Sequence, residues 1–254
     1  MNIFFSIINN GYKYFALNFY KRWVQLGIKQ KLVFVCTDIA CYVDLKKVGA
    51  ECIFADSNSI STNFHIWQTE EYKKIVFNKL LLTQNFIENT YHEYPFITYV
   101  DVDMWVNFDF NQELEPVLLS NDFDIMFQDG EDYILNVDES CILEKNNNIS
   151  KIRPCNSYCT GFMVFNSRKK NNIINLLSYD EKDLKDNNGN QIFINKKLKE
   201  LKINACCLPK TILPNFSTSF YYKNLERYWM LHYTYLLGKE KIYYMKKNSH
   251  WILD

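Results

Sequence analysis

Residues Phe96–Trp105 read Phe-Ile-Thr-Tyr-Val-Asp-Val-Asp-Met-Trp. The first five are apolar, β-branched or aromatic, which is strand composition. The run leads straight into Asp101 and Asp103, and apolar residues resume at Met104. In an extended segment, residues two apart face the same side. Two carboxylates sharing a side repel unless something neutralises them, so a divalent cation has a physical reason to sit there. Hard oxygen ligands suit Mg²⁺ or Mn²⁺. A solvated turn is the plainer reading of an Asp-x-Asp, but solvated turns are seldom bracketed by apolar residues.

Working outward toward the N-terminus, Glu70–Glu88 reads as a long amphipathic helix with Ile75, Leu82 and Phe86 on its apolar face. Before it lie short strand runs at Ile3–Ile8, Lys31–Cys36 and Cys52–Ala55. Between them are helical patterns at Tyr14–Leu26, stopping at Gly27, and at Tyr42–Val48, ending at Gly49. Asn9-Asn10-Gly11 is a turn signal. This β-α-β-α-β order predicts an α/β fold, a mixed, mostly parallel sheet flanked by helices. In such sheets ligands bind beyond the carboxyl ends of strands, where Asp101 and Asp103 lie.

Downstream the rhythm changes. Asn111–Leu119 suggests a helix, Asp122–Phe127 and Tyr158–Phe165 strands, and Asn187–Leu201 a turn and then a helix. Asp129–Ser157 is polar and reads as a loop. The aromatic-rich tail has no clear period. With no internal repeat and no domain boundary, residues 1–254 read as a single domain.

The chain has 29 Lys+Arg and 29 Asp+Glu, so its formal charge is zero. That argues against binding that rests on non-specific nucleic-acid electrostatics. Hydrophobic residues make up 48% of the chain, enough for a full core. No window approaches a membrane span. The N-terminus lacks the basic flank of a signal peptide. The eight Cys include no Cys-x-x-Cys pair, so zinc is not indicated and a reducing compartment is the default. Cytoplasmic residence is the expectation, with the secretory lumen as the alternative.

With the Asp-x-Asp in place, the chain resembles the nucleotide-diphospho-sugar transferases of the glycosyltransferase-A fold. It looks closest to the retaining group that includes plant xylosyl- and arabinosyltransferases. The resemblance rests on the first strand and its Asn-rich turn, Asn18, and the KLVFVCTD strand ending at Asp38. It continues through Lys79, ITYVDVDMW, CTGFMVF and NQIFIN to the late His232 with Gly238 and Lys241. It implies a nucleotide-binding half at about 1–110 and an acceptor-side half at about 111–254. It implies that Asp101, Asp103 and His232 hold Mn²⁺ or Mg²⁺. Lys241, with Lys239 as a competing choice, would neutralise the departing diphosphate. Asn9, Asn10 and Asp38 would lie near base and ribose, and Lys79 near phosphates or ribose. Gly161 and Gly238 would border the donor, and Gln191 would position the sugar. The implied partners are a nucleoside-diphosphate-sugar, with uridine the common base, and a glycan or other hydroxyl acceptor.

Two departures stand out. The family usually has Asp-Gln where this chain has Asn190-Gln191, so a charge is replaced by an amide. Asp186 lies nearby as a substitute. Cys159-Thr160-Gly161 also lacks the Asn common before that glycine. Several residues have blander readings: Asp38 as a helix cap, Lys79 snorkelling to solvent, His232 as a core histidine, and His250 and Trp251 tacking the tail down. His65 and Trp67 could join an acceptor loop, and Tyr221 and Tyr222 a sugar wall. A nucleotidyltransferase would want a Gly-rich phosphate loop after the first strand. A phosphatase of the haloacid-dehalogenase type would want its Asp-x-Asp early in the chain. The remaining alternative is a non-catalytic glycan- or nucleotide-binding protein that kept the fold.

Overall fold

Four strands form the parallel half of a seven-stranded sheet: β1 (Asn2–Ile8), β2 (Leu32–Cys36), β3 (Glu51–Phe54) and β4 (Phe96–Val100). They are joined by β6 (Ile125–Asp129), β7 (Tyr158–Asn166) and β8 (Ala205–Leu208). The order is β3-β2-β1-β4-β7-β6-β8. β7 runs antiparallel to both neighbours, and β8 returns parallel to β6. The computed structural model describes residues 2–55, 69–130, 157–216, 228–234 and 236–253. The loop expected within Asp129–Ser157, His65, Trp67, Tyr221, Tyr222, Cys141 and Cys155 fall wholly or mainly outside the described residues.

Both faces of the sheet are covered, which is why β1, β2 and β4 read as unbroken apolar runs rather than alternating ones. Phe4 and Ile8 of β1 point into one core with Phe15, Phe19 and Trp23 of α1 (Lys13–Gln25), Leu45 of α2 (Ile39–Lys47) and Leu114 of α4 (Asn111–Ser120). Ile3 and Phe5 point into the other, with Phe77 and Leu80 of α3 (Glu70–Thr90). Ile173 of α5 (Lys170–Leu177) and Phe193 of α7 (Asn190–Leu201) complete that layer, and α6 (Glu181–Asp186) links the last two helices.

A second, two-stranded sheet pairs β5 (Met104–Val106) antiparallel with β9 (Met230–His232). Helix α8 (Gly238–Lys247) follows, and the tail beyond it is pinned to α1. The Asn18 amide donates to the His250 carbonyl at 2.9 Å, and its oxygen accepts from Ile252 N at 2.7 Å. The tail therefore packs as the reading of His250 and Trp251 expected.

Element boundaries moved where side chains cap the backbone. The helix expected from Tyr42 begins at Ile39, because Asp38 accepts from Cys41 N at 2.8 Å and caps it. Asn166 fixes the end of β7 by accepting from Arg168 N. The strand expected at Asp122–Phe127 lies at Ile125–Asp129. Cys36, Cys41, Cys52, Cys159 and Cys206 are free and buried, as apolar filler should be. Cys207 is disulfide-bonded. Among the described residues, no helix is long and apolar enough to cross a membrane.

Candidate active site

The two aspartates do converge, but not along one extended segment. β4 stops at Val100 and β5 starts at Met104, so Asp101 and Asp103 flank a tight turn between strands of different sheets. The turn is anchored at both ends. Asp101 N donates to Gly161 O at 2.7 Å on β7, and Tyr233 N donates to Asp103 O at 3.0 Å just past β9. The first half of the chain thus supplies the carboxylates, and the second half anchors the backbone of the turn that carries them.

Each carboxylate has one oxygen occupied. Asp101 Oδ1 accepts from Lys79 Nζ at 2.9 Å and from the Tyr99 hydroxyl. Asp103 Oδ2 accepts from Lys241 Nζ. The other oxygens face His232: Nε2 lies 3.4 Å from Asp103 Oδ1 and 3.8 Å from Asp101 Oδ2. One ligand atom from each of the three residues falls within 4.8 Å of the others. Two carboxylate oxygens and an imidazole nitrogen make a donor set that fits Mn²⁺, with Mg²⁺ better suited to the oxygens alone.

Burial alone would push the Asp103 carboxyl up, but the Lys241 ammonium and His232 hold it well below the ordinary carboxylate range. Burial alone would lower His232; the Asp103 carboxylate outweighs it and pushes the imidazole up to about 10. Tyr12 and Tyr72 are raised, by burial first and also by the negative charge of the aspartates. Both therefore present neutral hydroxyls to the site.

These groups line a cavity of about 770 Å³ beyond the carboxyl ends of β1 and β4. Its wall includes Asn9, Tyr12, Lys79, Asp101, Asp103, Gly161, Gln191, His232 and Lys241. The cavity brings together most of the residues singled out in the sequence. Asn10, Asp38 and Gly238 are not among its lining residues. Asp38 instead caps α2 and accepts from Asn10 N at 2.6 Å, so both its oxygens hold backbone and the β1 turn is fixed by it. Gly238 is the first residue of α8, with φ 36°, and it sets the entry of the helix that carries Lys241. Lys79 does not snorkel to solvent; its ammonium also lies 4.1 Å from the Tyr99 ring centroid. Asp186 is exposed on α6 and is not a wall residue, whereas Asn190 is buried in the wall beside Gln191. Asn195 of the NQIFIN segment is structural, tying α7 to both backbone groups of Tyr158 on β7.

Gly161 is needed for space. A Cβ there would stand 2.3 Å from His232 Cε1 and 3.0 Å from Asp101 Oδ2. The residues missed in the sequence are Tyr12, Tyr72, Tyr99 and Gln128. Tyr99 was legible, being two before Asp101 on the same strand side; the others reach the site only through tertiary packing.

This arrangement, a mostly parallel sheet with an aspartate pair at the end of its fourth strand and an antiparallel β7 beside it, is that of a glycosyltransferase-A enzyme. Residues 27–245 match the family model described as nucleotide-diphospho-sugar transferase, and the chain belongs to that family of glycosyltransferases. No curated protein matches it. Among solved structures it is similar to the bifunctional glycosyltransferase WbbM, at 13% identity and TM-score 0.56 over 93% of this chain, spanning less than half (46%) of that one. It is similar to mouse xyloside xylosyltransferase 1, at 12% identity and TM-score 0.55, over 92% of this chain and 98% of that one. It is likewise similar to the galactosyltransferase LgtC in complex with donor and acceptor sugar analogs, at 10% identity and TM-score 0.56, over 100% and 97%. At these identities the likeness is one of fold.

Proposed function

We propose that the chain transfers a sugar from a nucleoside-diphosphate donor, with UDP the expected nucleotide, to a hydroxyl acceptor such as a glycan, with retention of configuration. The observation that carries the reading is the convergence of Asp101, Asp103 and His232 beside Lys241 on the wall of one cavity. Its volume is in the range of small-ligand sites.

Asp101 Oδ2, Asp103 Oδ1 and His232 Nε2 would hold Mn²⁺ or Mg²⁺. When bound, the metal supplies positive charge against the donor diphosphate. Lys241 carries three N–H donors and spends one on Asp103. Among the described residues Asp103 is its one hydrogen-bond partner, and the other donors would meet the charge that develops on the leaving phosphate, where preorganised donors stabilise most. Asn9, Thr37, Gly161 and Gln191 line the cavity; in this reading Asn9 and Thr37, at the strand ends, would border the nucleotide, and Gly161 and Gln191 the sugar. Among the described wall residues, carboxylates come from Asp101 and Asp103, and both are turned to the cation site. A front-face route, in which the leaving phosphate takes the acceptor proton, needs no further carboxylate. Gln191 then positions the sugar rather than attacking it.

The test is a panel of nucleotide-sugars incubated with the protein with and without Mn²⁺, following released nucleoside diphosphate. Metal-dependent hydrolysis of one donor is the expected result. Saturable UDP binding without turnover, acceptors included, would favour the binding-protein alternative, for which the amide at Asn190 speaks. Absence of any nucleotide binding would sink the reading.

A further inference from the structure

Gln128 is the last residue but one of β6 and is completely buried. A polar side chain there needs its hydrogen bonds met internally. Three contacts do so. Its Nε2 donates to the Leu213 carbonyl at 3.1 Å and to Asn215 Oδ1 at 2.8 Å, and its Oε1 lies 2.8 Å from His232 Nδ1.

The orientation of this amide is decided by chemistry. A backbone carbonyl can only accept, so the end of Gln128 facing Leu213 O must be the NH₂ group. The end facing His232 is then the carbonyl oxygen, which also only accepts. His232 Nδ1 must therefore carry a proton and donate it. In the neutral ring that leaves the lone pair on Nε2, the atom that faces Asp101 Oδ2 and Asp103 Oδ1. Cys159 Sγ, 3.9 Å from Nδ1, is a weak second neighbour and does not compete with the 2.8 Å bond.

The backbone is shaped to make this contact. The β6–β7 ladder shifts register between Phe127 and Gln128: Phe127 pairs with Met163, but Gln128 pairs with Cys159. A bulge of this kind bends a strand and re-aims its side chains. It contains Gly161, the residue against which the His232 ring packs. Asn215, which accepts from Gln128, also forms an isolated bridge with His232 and donates to Asp129 O at 3.4 Å.

We infer that Gln128 is a positioning residue that locks His232 in the Nδ1–H tautomer and thereby presents the Nε2 lone pair to a divalent cation. This rests on the proposed cation site of Asp101, Asp103 and His232. A partner of this type fixes both ring orientation and tautomer, and its loss typically weakens metal affinity roughly 10–100-fold.

The experiment is Mn²⁺ titration of the donor-free protein, reading free aqua ion by electron paramagnetic resonance. Wild type is compared with Gln128→Met, which keeps length and volume but removes the acceptor, and the same substitution is repeated in a His232→Ala background. The expected result is an Mn²⁺ Kd raised roughly 10–100-fold by Gln128→Met in wild type and changed by no more than about twofold where the imidazole is absent. Unchanged affinity in a folded Gln128→Met, or equal weakening in both backgrounds, overturns the inference while leaving the cation site standing. No Mn²⁺ binding by wild type overturns both together. Should Gln128→Met not fold, ¹⁵N-histidine spectra of the Zn²⁺-loaded wild type decide: a protonated Nδ1 on His232 supports the assignment, and a metallated or unprotonated Nδ1 overturns it.

Discussion

Gly161→Ala adds a single methyl group at the most crowded point of the site. Its Cβ would stand 2.3 Å from His232 Cε1, where ordinary contact begins at 3.4 Å, a shortfall of about 1.1 Å. Either the ring or the β7 backbone must give way. The ring is held at Nδ1 by Gln128, and its backbone N donates to Pro214 O at 3.0 Å. The β7 backbone is held through the bond from Asp101 N to Gly161 O. Whichever gives, the three candidate ligand atoms separate, and metal sites tolerate distance errors of only about 0.2 Å. Mn²⁺ affinity should fall at least about tenfold, which is about 1.4 kcal/mol. Overpacking should also cost about 1–3 kcal/mol of stability. Mn²⁺ titration and urea midpoints read the two effects. A double-mutant cycle with His232→Ala locates the cause, because removing the ring removes the clash and should bring the stability cost of Gly161→Ala below about 0.5 kcal/mol. A folded Gly161→Ala that binds Mn²⁺ within twofold of wild type would show that the methyl group does not displace the ligand atoms.

Three further outcomes follow from the same geometry. Lys241→Met keeps the apolar stem and removes the charge, and turnover of the donor should fall about 10²–10³-fold with little change in nucleotide specificity; an unchanged kcat would remove Lys241 from the chemistry. With His232 pushed up to about 10 in the metal-free protein, Mn²⁺ must displace a proton below that pH. Affinity should therefore rise by up to about tenfold per unit as pH climbs from 7 toward 9, with proton release visible in calorimetry across buffers of different ionisation enthalpy; pH-independent binding would contradict this. His250, held down to about 4 by burial and by Arg22, stacks on Trp105 at 4.7 Å and meets the Tyr233 hydroxyl at 2.7 Å. Its folded value lies below its unfolded one, so its contribution is complete above about pH 6.5 and lost as pH falls toward 4, amounting to roughly 1–3 kcal/mol after screening. His250→Phe should flatten urea stability over that window, and an unaltered slope would assign the acid sensitivity elsewhere.

Strands β1, β2 and β4 of the parallel half were legible because they are long enough, and buried enough on both faces, to read as apolar blocks between helical periods. Asp101 and Asp103 were legible because a charged pair inside an apolar block has few structural uses. The second sheet was not. β5 and β9 have three residues each, too short for any period, and their central residues Trp105 and Leu231 pair across 126 positions. The short helices α5 and α6 went unread for a similar reason, since eight and six residues carry barely two turns of pattern. Lys241 and His232 were found through resemblance, since nothing local distinguishes a histidine between Leu231 and Tyr233 from a core one. Gln128 escaped because its role depends on a register shift, and that shift is set by pairing rather than by composition. Asp38 shows the opposite case: its local capping chemistry sufficed to explain it, and the structure spends both its oxygens on backbone.

The carboxylate pair also determines how inactive variants must be read. Asp103 is a buried ion, and leaving one uncompensated costs several kcal/mol. Its compensation comes from Lys241, 138 residues away on α8, and from His232 on β9. The docking of the C-terminal elements and the electrostatics of the site are therefore one system. Truncating Asp103 to Ala strands two cations in the core, so lost turnover could reflect a loosened α8 as readily as a lost ligand. Asp103→Asn keeps the shape and an acceptor for Lys241 while removing the charge. Paired with Asp101→Asn, whose carboxylate is more exposed and has its own partner in Lys79, it separates the two contributions. If both amides abolish Mn²⁺ binding but only Asp103→Asn lowers the urea midpoint, the metal role belongs to both residues and the structural role to Asp103 alone.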